Sequence, residues 1–306
     1  MFILIFEQLL KMFFIMLLAF ICYKIKLVDQ NGNRSISNLL LMVVNPLLII
    51  TVYQDTKYNP NMVRGLLLAF AAALAAHILG ILISTFLIRS SSGPGCSIER
   101  FNSMYSNCGF IGIPLVNSVL GSSGVFFITA YMVVFNLFTW THGIILMEKK
   151  CSLKSMKEGI LSPMFLSTAA AVALFFLRVH IPSVALDTMN YVADMNTPLA
   201  MMVAGFSVAQ SDLKKMLLNA RIYFIAFIKL LLIPVLMTAV LKLMSLPSEV
   251  AAAILIGAAC PAATTGTMMA IRYDQNYTYS SELFAMTTVL SIVTIPAVVL
   301  FAETIL

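Results

Sequence analysis

Apolar runs, each about twenty residues long, follow one another along nearly the whole 306-residue chain. They constrain its fold more than any other feature. Only 10% of the residues are charged and 60% are hydrophobic, and the mean hydropathy is +0.96. A soluble domain carries roughly 25% charged residues, so a soluble globule is excluded. In hydrocarbon every backbone N–H and C=O must be satisfied inside the protein, which leaves helices or a closed barrel. Runs of this length are helical, because a barrel strand crosses in about ten residues. Ten segments are expected, near 3–23, 36–53, 62–88, 101–120, 123–147, 158–178, 189–209, 217–243, 249–271 and 281–303. The predicted fold class is an all-α integral membrane protein of ten transmembrane helices. Residues 1–23 show no small-residue cleavage pattern and are expected to stay as the first span.

Two of these spans are interrupted. Residues 257–273 hold Pro261 and Gly266 among Thr264, Thr265 and Thr267. Residues 106–121 hold Asn107, Gly109, Gly112 and Pro114. Proline removes a donor and blocks a preceding carbonyl. The freed groups need protein or cavity water, so both segments are expected to be broken helices lining something polar. Such pairs in corresponding halves of a chain point to a transporter binding site.

Thirteen lysines and arginines fall in the odd-numbered loops. Only Lys57, Arg64, Arg178 and Lys242 fall in the even ones. That bias puts the odd loops in the cytoplasm and both termini outside. The basic stretch 148–157 divides the chain into a first half, 1–147, and a second, 158–306. Five spans on each side make the second half an upside-down copy. Matched prolines support this: Pro46 and Pro198 lie 152 residues apart, and Pro114 and Pro261 lie 147 apart. Broken helices expose half-helix N-termini. Their partial positive charge favours an anion.

The stretches Asn107-Cys-Gly-Phe-Ile-Gly-Ile-Pro114-Leu and Ala259-Cys-Pro261-Ala-Ala-Thr-Thr-Gly-Thr-Met-Met-Ala-Ile-Arg-Tyr273 resemble the fourth and ninth spans of the auxin efflux carrier family. So do Thr197–Gly205, Lys229–Pro234 and Asn136–Trp140 in their places, and the resemblance runs through the whole chain. The length is like that of the bacterial malate/malonate-type members. The resemblance implies two inverted five-helix repeats, with helices 4 and 9 crossing near mid-membrane. It also implies elevator-type carriage of an organic carboxylate or weak-acid anion across the plasma membrane. It places Asn107 at the substrate-facing crossover and Asn136 where plant carriers hold a glutamine near substrate. Ser162-Pro163 stands where the family often has Asn-Pro.

For the individual residues the structural and functional readings stand side by side. Asn107 either binds substrate or satisfies the broken backbone. Asn136 either binds substrate or makes a helix–helix hydrogen bond. Thr264 and Thr265 either touch substrate or cap the second half-helix, with capping favoured. Lys229, an ionisable residue mid-span, either provides counter-charge and proton coupling or pairs with a carbonyl or an acid. His77, 152 residues before Lys229, either titrates or is a satisfied buried histidine.

No nucleotide-binding, metalloprotease or serine-hydrolase motif occurs, so neither a pump nor an enzyme is indicated. No cofactor, metal or nucleic acid is expected. The partners implied are the lipid bilayer, a small organic anion and a proton, with sodium less favoured for want of paired intramembrane acids. A homodimer is compatible. The alternatives are a sodium-coupled symporter of the bile-acid type and a non-transporting receptor or sensor on a carrier fold.

Overall fold

The computed structural model describes residues 2–89, 95–148, 161–211 and 213–306. Most of the connecting segment expected at 148–157 lies outside the described residues. The helices, in order, are α1 (Phe2–Lys24), α2 (Gln30–Leu39), α3 (Asn45–Asp55), α4 (Pro60–Leu87), α5 (Cys96–Met104), α6 (Ile113–Phe138), α7 (Ile144–Glu148), α8 (Pro163–Leu177), α9 (Ser183–Ala193), α10 (Asn196–Gln210), α11 (Leu213–Leu218), α12 (Ala220–Phe227), α13 (Ile233–Leu243), α14 (Ser248–Ala259), α15 (Thr264–Arg272) and α16 (Tyr277–Glu303). Among the described residues, seven helices are long and apolar enough to cross a membrane. One of them, Cys108–Glu148, holds two of the expected spans. It bends at Gly121, whose φ of 69° suits a residue without a Cβ. The apolar helices Pro163–Leu177 and Ser248–Ala259 are shorter.

Among the described residues four π-helical turns interrupt the helices, at Leu40–Val44, Cys108–Gly112, Thr139–Gly143 and Ile228–Leu232. Three have a common cause. Each is followed by one residue and then by Pro46, Pro114 or Pro234. A proline ring collides with the carbonyl four residues back. The chain answers by widening the preceding turn. Asn45, Ile113 and Ile233 each donate their N–H to a carbonyl five residues back, at Leu40, Cys108 and Ile228. Helix therefore continues past these prolines instead of ending at them.

Two bundles result. In the first, α1 packs on α10, and α3 packs on α8 and α9. Gly205 permits the α1–α10 approach, since a Cβ there would lie 2.2 Å from the Met16 carbonyl oxygen. Asn196 Nδ2 donates to Asn45 Oδ1 at 2.5 Å, joining the starts of α10 and α3 in the interior. In the second bundle, α6 packs on α4 and α14, and α16 packs on α5, α12 and α15. Arg221 forks onto Glu99 at 3.0 and 2.7 Å, and Tyr279 donates to the same carboxylate at 3.0 Å. That clamp ties α12 and α16 to α5.

Between the bundles, α16 lies on α1 and α10, and α3 lies on α6. Two side-chain hydrogen bonds cross the gap at opposite ends. The Tyr53 and Thr129 hydroxyls meet at 2.8 Å, and Ser211 Oγ donates to the Ser281 carbonyl at 3.2 Å. Beside the first, the rings of Tyr53, Phe126 and Phe175 close on one another with centroids 4.7–5.9 Å apart.

Candidate functional site

The two interrupted segments meet inside the second bundle. Helix α5 ends at Met104, and the chain runs through residues 105–107 before the π-helical turn at Cys108. Helix α14 ends at Ala259, and the chain runs through 260–263 before α15. Proline favours an extended conformation at the residue before it, and Cys260 takes ψ 149°. The unwound segments then satisfy each other. Ser106 and Ala262 pair as an antiparallel bridge. Asn107 N donates to the Pro261 carbonyl at 2.8 Å, and Ala263 N donates to the Tyr105 carbonyl at 3.0 Å. Ala262 N finds the Thr287 hydroxyl at 3.1 Å. Gly112 makes room for the crossing, because a Cβ there would sit 3.3 Å from Cys260 Sγ.

Four helix ends converge on this bridge. The C-termini of α5 and α14 carry partial negative charge, and the N-termini at Cys108 and Thr264 carry partial positive charge, each roughly half an elementary charge. Lys229 answers the negative end of α14. It is fully buried, and its Nζ donates to Ser106 Oγ at 2.5 Å and to the Ala258 carbonyl at 3.2 Å. Ser106 Oγ also reaches the Ala258 carbonyl and the Tyr131 hydroxyl, both at 3.2 Å. A buried ammonium is costly unless polar groups receive it, and here they are a hydroxyl and a helix-terminal carbonyl. Of the two structural partners expected for Lys229, the carbonyl is the one present. His77 stands behind this group. Its ring lies 4.7 Å from that of Tyr131, and its Nδ1 is 2.8 Å from the Ala73 carbonyl. Its Nε2 is buried without a partner, so His77 is only half satisfied.

On the positive side lies a cavity of about 500 Å³ between the two bundles. Its wall includes Asn33 and Arg34 of α2, Ser207 and Gln210 of α10, and Thr264 and Thr267 of α15. Among the described residues that line it, Arg34 is the one formal charge and none is Asp or Glu. Its polar surroundings hold unused hydrogen-bonding capacity. Asn33 Oδ1, Thr265 Oγ1 and, at the crossing, Asn107 Nδ2 are all buried without partners.

Several expected residues occupy different places from those expected. The break in the first segment falls at 105–107, upstream of Pro114, which lies in the first turn of α6. Neither threonine caps α15. The capping position is Ala263, which makes no side-chain cap. Thr264 instead lines the cavity. Asn107 does cap, accepting from Phe110 N at 3.4 Å through Oδ1 and leaving Nδ2 unused. Gly109 lies in the π-helical turn with the Met132 and Met164 methyls 3.9 Å from where a Cβ would be. Gly266 presses against Asn102, whose Oδ1 would be 2.9 Å from an added Cβ. Asn136 lies on α6, one turn before the Thr139–Gly143 turn, and Ser162 accepts from Phe165 N at 3.3 Å as the cap of α8. Neither lines the cavity.

The sequence reading overlooked Ser106 and Tyr131 and counted Arg34 only as a loop cation. Ser106 adjoins Asn107 and could have been singled out as a second polar residue at the break. Nothing along the chain distinguishes Tyr131 from the other tyrosines.

No curated protein matches the chain. The family model described as membrane transport protein matches it twice, over residues 4–154 and 149–299. Together the two matches cover nearly the entire sequence. The chain therefore belongs to the membrane transport protein family, that of the auxin efflux carriers.

Proposed function

We propose that the protein is a secondary carrier of a small organic carboxylate or similar weak-acid anion, working by alternating access in the plasma membrane. The observation that carries this is the crossing itself. Lys229 binds the negative end of α14, which leaves the positive end of α15 facing the cavity that Arg34 also lines. Thr264 and Arg34, which line the cavity, are proposed substrate contacts, and so are Asn107 and Thr265, which do not line it but hold unpartnered polar atoms next to its lining residues. Asn136 and Ser162 stay outside this cavity and are proposed contacts only for another state of the cycle.

The ten-span, inverted-repeat reading counts α1, α2–α3, α4, α5 with the start of α6, and the rest of α6 with α7 as the first five. The second five are α8, α9–α10, α12–α13, α14–α15 and α16. The paired family matches support it. So does the Asn45–Asn196 bond, which joins residues that precede related prolines. In the proposed elevator, the bundle containing the crossing slides against the bundle built on α1, α3, α8 and α10. The cavity mouth lies at the start of α2 and the end of α10, beside loops rich in cations, so the conformation is read as cytoplasm-facing. Lys229 fills the place where hydroxyl and carbonyl oxygens converge, which favours uniport or proton coupling over sodium coupling.

Counterflow in proteoliposomes with labelled small mono- and dicarboxylates tests the proposal. Saturable exchange that Asn107→Ala weakens, with the protein still folded, is the expected result. Ligand binding with no flux for any acid tested would overturn transport in favour of a receptor.

A further inference from the structure

A second pocket, of about 210 Å³, opens where α3 and α8 end. It lies at the far end of the α2–α3 span from the mouth of the large cavity. Its floor is apolar, formed by Tyr53, Leu174 and Phe175, and around it stand Lys57, Arg178 and His180 with no carboxylate among the lining residues. Asp55, two residues before Lys57, makes no ion pair with it. The even-numbered loops hold only four lysines and arginines in all. Two of them meet at this pocket.

The segment that carries Arg178 is held in place. Gln54 staples the segment after α8 to α3: its Nε2 donates to the Val179 carbonyl at 3.0 Å, and its Oε1 accepts from Ile181 N at 2.9 Å. Arg178 ends α8 with φ 55°, a position where glycine is the common residue because a Cβ opposes it. The chain keeps an arginine there and stacks its guanidinium 4.4 Å from the centre of the Tyr58 ring. Tyr58 in turn packs on Phe175 at 5.4 Å. A strained backbone that places a charge over an open pocket points to a use for the charge.

We infer that this pocket is a second anion site, selective for a compact oxyanion such as a small carboxylate or a phosphate group. Its volume is below the roughly 300–1,000 Å³ of drug-sized ligand pockets. It therefore admits a small solute or the head of a larger molecule. Tyr53 lines the pocket and also holds Thr129 across the two bundles, so an anion bound here sits against the contact that closes this face. In the carrier proposed above, and resting on that reading, the site receives substrate on the side where the main cavity is shut.

The test is a binding measurement on the purified full-length chain, independent of transport. The probe is trifluoroacetate, followed by fluorine NMR line broadening. Wild type and Arg64→Gln, a change at an exposed cation that lines neither pocket, are expected to bind it alike at this site. Lys57→Gln and Arg178→Gly should each weaken binding on the order of tenfold, the equivalent of one charge-assisted hydrogen bond. Glycine accepts the backbone of residue 178, so Arg178→Gly preserves the fold, and Arg178→Lys should recover most of the binding. Nanodiscs of phosphatidylcholine with and without phosphatidylglycerol separate the two sources of ligand. Displacement of the probe by phosphatidylglycerol supports the site with a lipid phosphate as its occupant, and equal binding in both supports it with a free solute. Wild-type titration curves for Lys57→Gln and Arg178→Gly would overturn the inference and leave the transport proposal untouched. So would loss of all binding in Arg64→Gln alone.

Discussion

The ammonium of Lys229 and the hydroxyl of Ser106 should behave as one energetic unit, and a double-mutant cycle can measure it. Ser106→Ala leaves the buried ammonium with a single acceptor, the Ala258 carbonyl at 3.2 Å. A hydrogen bond to a charged group contributes about 1.5–3 kcal/mol, so this variant should lose about 2 kcal/mol. Lys229→Met removes the same bond and the second one. It also removes the desolvation penalty of a fully buried ion, which is several kcal/mol. The two terms oppose each other, and the net change should stay within about 2 kcal/mol. Once Lys229 is gone, Ser106→Ala removes only neutral contacts to Tyr131 and Ala258, worth about 1 kcal/mol. The coupling is then about 1 kcal/mol or more, well above the 0.3–0.5 kcal/mol scatter of independent sites. Unfolding in detergent, followed by a maleimide dye that reports exposure of the buried thiols Cys108 and Cys260, gives all four corners. Additive effects would refute the reasoning, because they would mean that the serine does not share the burden of the charge.

Other outcomes follow from the same geometry. Asn107→Ala should lose about 1 kcal/mol of stability, the value of a helix cap, with a larger loss of carboxylate counterflow; Asn107→Asp should restore the cap in melting experiments without restoring flux. Thr264→Ala removes no cap and should leave the melting temperature unchanged while raising the KM for substrate in proteoliposomes. Gly205→Ala drives a methyl towards the Met16 carbonyl and should destabilise by about 1–3 kcal/mol in the same melts. Arg221→Leu leaves the Glu99 carboxylate, whose side chain is 5% exposed against 36% for the arginine, without its cation and with the Tyr279 hydroxyl still bound. Loss of a fully buried partner costs about 3–5 kcal/mol, and the exposure of Arg221 reduces this to about 2 kcal/mol, recoverable in Arg221→Leu/Glu99→Leu.

The membrane class, the helices and the existence of two interruptions were legible in the chain, because hydrocarbon leaves the backbone few options and proline is conspicuous. Where the first interruption falls was not. Pro114 marks only where its own ring disturbs the preceding turn, and a π-helical turn absorbs that locally. The unwound residues 105–107 are fixed by their partner at 261–263, which no local pattern encodes. The threonines misled for a similar reason. Threonine is a favoured capping residue, but the helix starts one residue earlier than a threonine cap requires. Lys229 was conspicuous as a charge in an apolar run, yet its acceptor Ser106 lies 123 residues away. The division into two bundles is likewise a property of tertiary packing. It cannot be read from periodicity, because most spans are apolar nearly all round.

The bridge between Ser106 and Ala262 also has a bearing on assembly. During synthesis the first half of the chain enters the bilayer with the Asn107 N–H and the Tyr105 carbonyl lacking the partners that residues 261 and 263 later supply. Until those residues emerge from the ribosome, hydrocarbon imposes a desolvation cost on each open group. The fourth span must wait hydrated, or as a continuous helix that later unwinds. The two halves therefore cannot mature as independent modules. A chain truncated before residue 261 should be a substrate for membrane quality control, and one expressed as two fragments should gain stability only when both are present.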